Sequence, residues 1–167
     1  MYTSIQNIAW RIGKAFFVLG GLFWGGSACS EKIEPKPYTF SQLLTGKESK
    51  KWQLVAFQVV DEGQVYNARL FPCEQNDIYT FYANAAKEVE IQNGDSKCDE
   101  AEPDAYEGNW ALINATATLA IPIPFLSGSS SIPFTLKQIT ATSFIVEYYF
   151  LDIEASYRFT FNAIQGG

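Results

Sequence analysis

The sequence predicts an all-β protein of antiparallel strands, each paired with the next along the chain, with a short helix before the first strand. Three observations support this fold class. From Lys51 onward apolar and polar residues alternate with a period of two, and β-branched and aromatic residues dominate. The gaps between the alternating segments are mostly short enough for hairpins. No segment with helical periodicity intervenes, so parallel βαβ units are excluded.

Composition limits the function classes before any motif is considered. The 167 residues include 12 basic and 18 acidic side chains, and a net charge of −6 gives a nucleic-acid-binding surface no electrostatic basis. The absence of histidine removes the usual general base and the commonest metal ligand. The acidic run 99–104 lacks the spacing of a calcium-binding loop. We therefore expect no metal site and no cofactor.

The first 28 residues have the order of an export signal. Arg11 and Lys14 precede the apolar stretch 15–24, and small residues follow at 25–28. The uncharged run 15–28 has 14 residues, whereas a membrane-spanning helix needs about 20. Removal of the signal leaves 139 residues with a net charge of −8. A domain of that size can bury one hydrophobic core.

The segment 26–29, with the sequence GSAC, resembles the lipobox of bacterial lipoproteins, in which the cysteine becomes the acylated first residue. The cysteine count favours the same interpretation, because Cys73 and Cys98 can pair in an oxidising compartment and leave Cys29 for lipid. The alternatives are a secreted protein with a free N-terminal cysteine and a pair of unrelated reduced thiols. We predict lipidation at Cys29 and a Cys73–Cys98 disulfide.

These features divide the chain into a lipoprotein signal peptide at 1–28, a tether with a short helix at 29–42, and a barrel domain at 43–165. Polar residues and two prolines favour an extended tether. A helix of one or two turns is expected just before the barrel, because Thr39 and Gln42 have capping-box spacing. Gly46 then suits the first position after that helix.

Nine segments are candidate strands, and each is expected to pair with the next. Pro122 and Pro124 remove two consecutive ladder donors on one side of their strand, so we expect an edge or a poorly closed seam there. Both faces of the segment 143–151 are largely apolar, so something should cover its outer face. The candidate strands are 51–60, 64–71, 76–83, 87–92, 108–114, 117–124, 132–139, 143–151 and 155–163.

A set of short motifs, taken together, resembles the lipocalin-like lipoproteins of Gram-negative bacteria. The motifs are LTG at 44–46, KWQL at 51–54, CEQND at 73–77, YTF at 79–81, KC at 97–98, GNW at 108–110 and YRFTF at 157–161. The resemblance implies an antiparallel up-and-down β-barrel of about eight strands, a short helix before the first strand and a disulfide near one rim. It also implies that Trp52 and Arg158 form a cation–π contact that closes the base of the barrel.

The favoured function is binding of a small hydrophobic ligand, because a barrel of about eight strands can hold one small ligand. The same aromatic side chains, 13 Phe and 9 Tyr, could equally fill the barrel completely. The alternative is therefore a surface accessory or assembly subunit with a solid core, which binds another envelope protein through exposed aromatics. The candidate ligand-binding residues are Tyr79, Phe81, Trp110, Tyr148 and Tyr157.

Catalysis is not expected. Without histidine, the best acid–base pair is Glu147 with Asp152 or Glu154, and a glutamate on a half-exposed strand explains Glu147 more simply. The predicted location is the cell envelope, with the protein exported and anchored to the outer membrane through the lipid on Cys29. The domain would face either the periplasm or the exterior.

Overall fold

Among the described residues, backbone hydrogen bonds join ten strands into one antiparallel sheet. The computed structural model describes residues 37–113 and 116–164, so the predicted signal peptide and Cys29 lie outside the described residues. The strands are β1 Ser49–Asp61, β2 Gln64–Asn67, β3 Ile78–Tyr82, β4 Glu88–Gln92, β5 Ala105–Asn109, β6 Ala111–Ile113, β7 Thr118–Ile121, β8 Ile132–Ile139, β9 Ser143–Phe150 and β10 Ala155–Ala163.

In the part of the chain that the structure describes, three short helices and a 3-10 turn accompany the sheet. The helices are α1 Pro37–Thr45, α2 Pro72–Gln75 and α3 Pro124–Ser127, and the 3-10 turn is Leu151–Ile153. The predicted short helix before the first strand is confirmed by α1. Gly46 has a φ of 66° and its N–H donates to Gln42, so it ends the helix as the sequence predicts. Within the described ranges, no helix is long and apolar enough to cross a membrane.

The sheet closes into a barrel because its two edges are one stretch of chain. The strand order is β5-β4-β3-β1-β10-β9-β8-β7-β6, and only Trp110 separates β5 from β6 in sequence. In this stretch, β5 pairs with β4 and β6 pairs with β7. On the other side, β1 pairs with β2 over one half of its length and with β3 over the other half. The predicted antiparallel barrel of about eight strand positions is confirmed.

Two details of strand pairing differ from the sequence-based expectation. The candidate strand 108–114 is broken at Trp110, because the chain changes partners there. The strand β2 pairs with β1 only, since Pro72 begins α2 and takes the chain out of the sheet before β3.

The predicted seam lies beside the prolines. Pro122 follows directly after β7, and Pro124 begins α3. Across the gap, a side chain on Gly108 of β5 would meet the carbonyl of Ser129 at 3.0 Å and the ring of Pro122 at 3.2 Å. A side-chain hydrogen bond from Ser131 Oγ to the Asn109 carbonyl replaces the strand ladder at this point. The prolines therefore end the strand and mark the seam.

Aromatic side chains fill the lower part of the barrel, next to α1. Trp52 meets Phe144 edge-on at a centroid distance of 4.9 Å, and Phe144 stacks on Phe161 at 4.4 Å. Tyr79 meets Phe161 edge-on at 5.1 Å. All four side chains are fully buried. This part of the interior is therefore a packed core rather than a cavity.

The implied cation–π contact between Trp52 and Arg158 is corrected by the structure. Trp52 pairs with Ala163 on the inner face, whereas the alternation along β10 turns Arg158 to the outer face. The Arg158 guanidinium instead donates to Glu147 at 2.7 Å. Lys50 takes the position over the Trp52 ring, at 4.3 Å from its centroid. The base of the barrel is thus closed by Lys50 and α1.

The covering of β9 also differs from the expectation. Tyr149 on the outer face of β9 is 52% exposed, so nothing in the described structure covers this end of the strand. The helix α1 does not cover this end of β9, because it packs near the opposite end of the barrel. There Trp52 Nε1 donates to the Leu44 carbonyl at 2.8 Å.

The predicted disulfide between Cys73 and Cys98 is confirmed, with a Cα–Cα distance of 5.2 Å. It ties α2, in the connection between β2 and β3, to the loop 93–104 between β4 and β5. Disulfides of this kind persist in oxidising compartments, so the crosslink indicates an exported domain.

We expect the double variant Cys73→Ser/Cys98→Ser to lose about 3–4 kcal/mol of unfolding free energy, because the crosslink restricts a 25-residue loop of the unfolded chain. Urea titration of both proteins would measure the difference. As a control, a reductant should lower the midpoint of the native protein and leave that of the double variant unchanged. Equal midpoints for the two oxidised proteins would contradict the prediction.

Candidate functional site

The end of the barrel away from α1 carries a cluster of aromatic side chains that are only partly buried. Phe57 stacks on the buried Phe159 at 5.1 Å and meets Tyr157 edge-on at 5.0 Å. The chain of contacts continues from Tyr157 to Phe150 at 4.4 Å. The aromatic mouth, as this cluster is called below, consists of Phe57, Phe125, Tyr148, Phe150 and Tyr157.

Strand alternation and one proline place these side chains. Tyr148 and Phe150 continue the inner-face row of β9, and Tyr157 continues that of β10, beyond the end of the packed core. Pro124 begins α3, and this turn places Phe125 over the end of the barrel. The ring centroids of Phe125 and Phe57 are 6.1 Å apart. The mouth is therefore formed by the ends of long strands and closed in part by a single helical turn.

The structure separates the five sequence-predicted ligand residues into two groups. Tyr148 and Tyr157 lie in the aromatic mouth and are partly exposed. Tyr79, Phe81 and Trp110 are buried in the core, where a ligand could reach them only by displacing packed side chains. Their role in binding stays untested, and the mouth is the accessible part of the predicted set.

Sequence reasoning missed three members of the aromatic mouth, namely Phe57, Phe125 and Phe150. Phe150 continues the inward alternation of Tyr148 on β9, so its signal was available in the sequence. Phe57 faces inward only because the register of β1 shifts between Leu54 and Ala56, whereas strict alternation from Trp52 would turn it outward. Phe125 follows a strand-ending proline and carries no periodic signal. Its position depends on α3, which only the folded chain shows.

A small pocket of about 60 Å³ lies beside the mouth, next to the disulfide. Phe125 forms part of both the pocket and the mouth. Asp77, Glu74 and Glu102 also line the pocket, and Tyr106 supplies a further ring. The disulfide holds this pocket together, because it joins the two segments that carry Glu74 and Glu102.

Asp77 is the unusual member of this pocket. Asp77 is only 6% exposed, and its Oδ1 atom has no hydrogen-bond partner among the described residues. Burial, followed by the negative charges of Glu102 and Glu74, raises the pKa of Asp77 to about 7, although a backbone hydrogen bond from Gly94 opposes the shift. Two residues further along, the buried hydroxyl of Tyr79 also has no partner, and burial and Asp77 raise its pKa.

Two other pockets lie away from the mouth. A groove of about 390 Å³ over β3, β4 and β5 is lined mainly by polar groups, including Glu88, Glu90 and Glu107. Within it, Tyr82 donates to Glu90 at 3.0 Å. An apolar pocket of about 150 Å³ lies between Phe40 of α1 and the strands β6 and β8.

Glu147, the candidate acid in the sequence, is engaged in ion pairs. It contacts Arg158 at 2.7 Å and Lys137 at 3.3 Å on the outer face. These contacts account for a carboxylate in an otherwise apolar strand. In the part of the chain that the structure describes, no three acidic, histidine or cysteine side chains are grouped so that they could hold a metal ion.

An antiparallel barrel of eight positions, closed at one end and lined with aromatic residues at the other, has the architecture of β-barrels that can hold one small ligand. Residues 49–146 match the family described as a lipocalin-like domain. The match covers more than half of the chain, which therefore belongs to the lipocalin-like domain family. This family is generally a non-enzymatic binding fold. No curated protein matches the chain.

Asp77 should make stability depend on pH. A carboxyl whose folded pKa is raised to about 7 binds its proton more tightly when folded, so its contribution is favourable below pH 4 and is lost as the pH rises to about 7. The loss amounts to up to about 4 kcal/mol. We therefore expect Asp77→Asn to stabilise the protein more at pH 8 than at pH 5, as measured by urea denaturation.

The exposed carboxylate Glu107 provides the matched control, because Glu107→Gln makes the same change of charge without burial. Its effect on stability should be small at both pH values. An equal effect of Asp77→Asn at pH 5 and pH 8 would contradict the predicted titration.

Proposed function

We propose that the protein is a lipid-anchored cell-envelope lipoprotein whose barrel binds a small hydrophobic ligand in the aromatic mouth. Three features support this function. The family is a binding fold, the disulfide indicates export, and the sequence around Cys29 resembles a lipobox. The outer membrane, facing either the periplasm or the exterior, is the location that such an anchor favours.

The observation that carries the proposal is the contrast between the two ends of the barrel. Trp52, Phe144 and Phe161 are fully buried against one another at the base, whereas Tyr148, Phe150 and Tyr157 keep part of their surface exposed. Covering aromatic surface is favourable by about 25 cal/mol for each Å² removed from water. A small apolar molecule across the mouth would therefore gain binding energy without disturbing the core.

Adjacent tyrosines on β9 allow a matched test. Tyr148 lies in the mouth, against Phe150 at 4.6 Å, whereas Tyr149 lies on the outer face. With the neutral fluorescent probe N-phenyl-1-naphthylamine, Tyr148→Ala should weaken binding about tenfold, which corresponds to one lost aromatic contact and its buried area. Tyr149→Ala should leave the dissociation constant unchanged, and circular dichroism would confirm that both variants are folded.

Two results would contradict a ligand site in the mouth. One is equal binding by the two variants. The other is loss of binding in Leu136→Ala, which would place the ligand in the apolar pocket beside α1. Failure of the native protein to bind any apolar probe would favour the alternative function described below.

The anchor has its own test. Replacement of Cys29 by serine in the full-length chain removes the only thiol proposed for acylation. Two acyl chains are enough for stable membrane attachment, so the variant should move from the membrane fraction to the soluble fraction of the cell envelope. The double variant Cys73→Ser/Cys98→Ser should stay with the membrane, and unchanged fractionation of Cys29→Ser would contradict the anchor.

A second candidate function is that of an accessory or assembly subunit that binds another envelope protein. The observation that favours it is an exposed apolar set on the outer side of the same end of the barrel. Tyr149 is 52% exposed, Leu151 79% and Ile153 52%. Exposed apolar side chains that lie together are typical of interaction surfaces.

A further inference from the structure

We propose that the pocket formed by Asp77, Glu74, Glu102, Tyr106 and Phe125 binds the ammonium group of an amphiphilic amine whose apolar part lies in the aromatic mouth. This inference rests on the proposed function of the mouth and specifies the chemical class of the ligand. It assigns a polar end to a molecule for which the mouth provides only the apolar contacts.

The buried carboxylate of Asp77 favours a cationic ligand. Asp77 lines the pocket, its residue is 94% buried, and its Oδ1 atom has no partner among the described residues. An ionised carboxylate with one oxygen unpaired is costly to bury, and a cation beside it offsets that cost. The position therefore favours a positively charged group from outside the chain.

The charges around Asp77 also favour a cation in the pocket. Glu74 of α2 and Glu102 of the loop 93–104 line the pocket and make its potential more negative. The neighbouring cation, Lys97, is engaged elsewhere, because it contacts the Asp104 carboxylate at 2.7 Å and donates to the Glu102 carbonyl at 2.8 Å. The pocket thus attracts a cation that this part of the chain does not supply.

The aromatic walls favour an organic ammonium. The rings of Tyr106 and Phe125 line the pocket, and aromatic faces attract ammonium groups. An ammonium also has donors for Asp77 and for a neighbouring carboxylate at the same time. A volume of about 60 Å³ suits a primary ammonium rather than a bulky head group.

The pocket and the mouth share one side chain. Phe125 lines the pocket and lies 6.1 Å from both Phe57 and Phe159. A molecule with its ammonium at Asp77 would pass Phe125 and reach the exposed rings of the mouth with its apolar chain. The two sites therefore fit the two ends of one amphiphile.

The test compares three probes with the same apolar chain, namely octylammonium, 1-octanol and octanoate, by isothermal titration calorimetry at pH 8. At this pH Asp77, with a pKa of about 7, is mostly ionised. Octylammonium should bind about tenfold more tightly than 1-octanol, because a charge-assisted hydrogen bond is gained. Octanoate should bind more weakly than 1-octanol, because its carboxylate is repelled.

The matched variants are Asp77→Asn and Glu107→Gln, which change the net charge equally. Asp77→Asn should remove the tenfold preference for octylammonium over 1-octanol. Glu107→Gln, on the exposed outer face, should preserve the preference. Because Asp77→Asn is expected to stabilise the fold, loss of the preference would not reflect unfolding.

The outcomes separate this inference from the function on which it rests. Equal affinity for octylammonium and 1-octanol would overturn the ammonium site and leave the hydrophobic mouth in place. A preference that survives in Asp77→Asn would overturn the assignment to this pocket. Calcium binding that depends on Asp77, without a preference for the amine, would overturn it in favour of a metal ion. Absence of binding by all three probes would overturn both proposals.

Discussion

Closure of the barrel through Trp110 is the constraint on which the rest of the structure depends. At this residue the chain stops pairing with β4 and begins to pair with β7, so the two edges of the sheet become continuous. Trp110 is held by one backbone and one side-chain hydrogen bond. Its backbone N–H donates to Lys87 at 2.8 Å, and its indole N–H donates to Tyr82 at 3.0 Å. The closed sheet then has an inside, which aromatic side chains can fill.

The two ends of the barrel interior differ in how completely they are covered, because the strands differ in length. At the base, α1 and Trp52 cover the core, and the indole of Trp52 bonds to the helix. At the mouth, β1, β9 and β10 extend beyond the short strands β3 and β4, so their last inward rings lack partners on one side. The disulfide and α3 complete this end. A packed base and an incompletely covered mouth together leave the aromatic side chains of the mouth partly accessible.

The buried carboxylate of Asp77 is consistent with this asymmetry. Proteins bury a charge only where a partner or a function compensates for the cost, and Asp77 lies at the end of the barrel where the covering is least complete. In the base, by contrast, the buried indole of Trp52 has a hydrogen-bond partner. The Trp52 hydrogen bond therefore stabilises the base, whereas the unpaired carboxylate oxygen of Asp77 is the feature on which the proposed ammonium site rests.

The sequence by itself determined the all-β barrel, the short helix, the disulfide pair and the seam at Pro122, because alternation, turn spacing and proline chemistry are local properties. Tertiary structure alone decided which aromatic residues are accessible, since Tyr79 and Tyr148 carry the same inward signal but lie at different heights in the barrel. It also decided that Lys50, and not Arg158, faces Trp52, because strand register fixes the face of each side chain. Asp77 stood out only in the fold, since burial by distant segments leaves no local pattern.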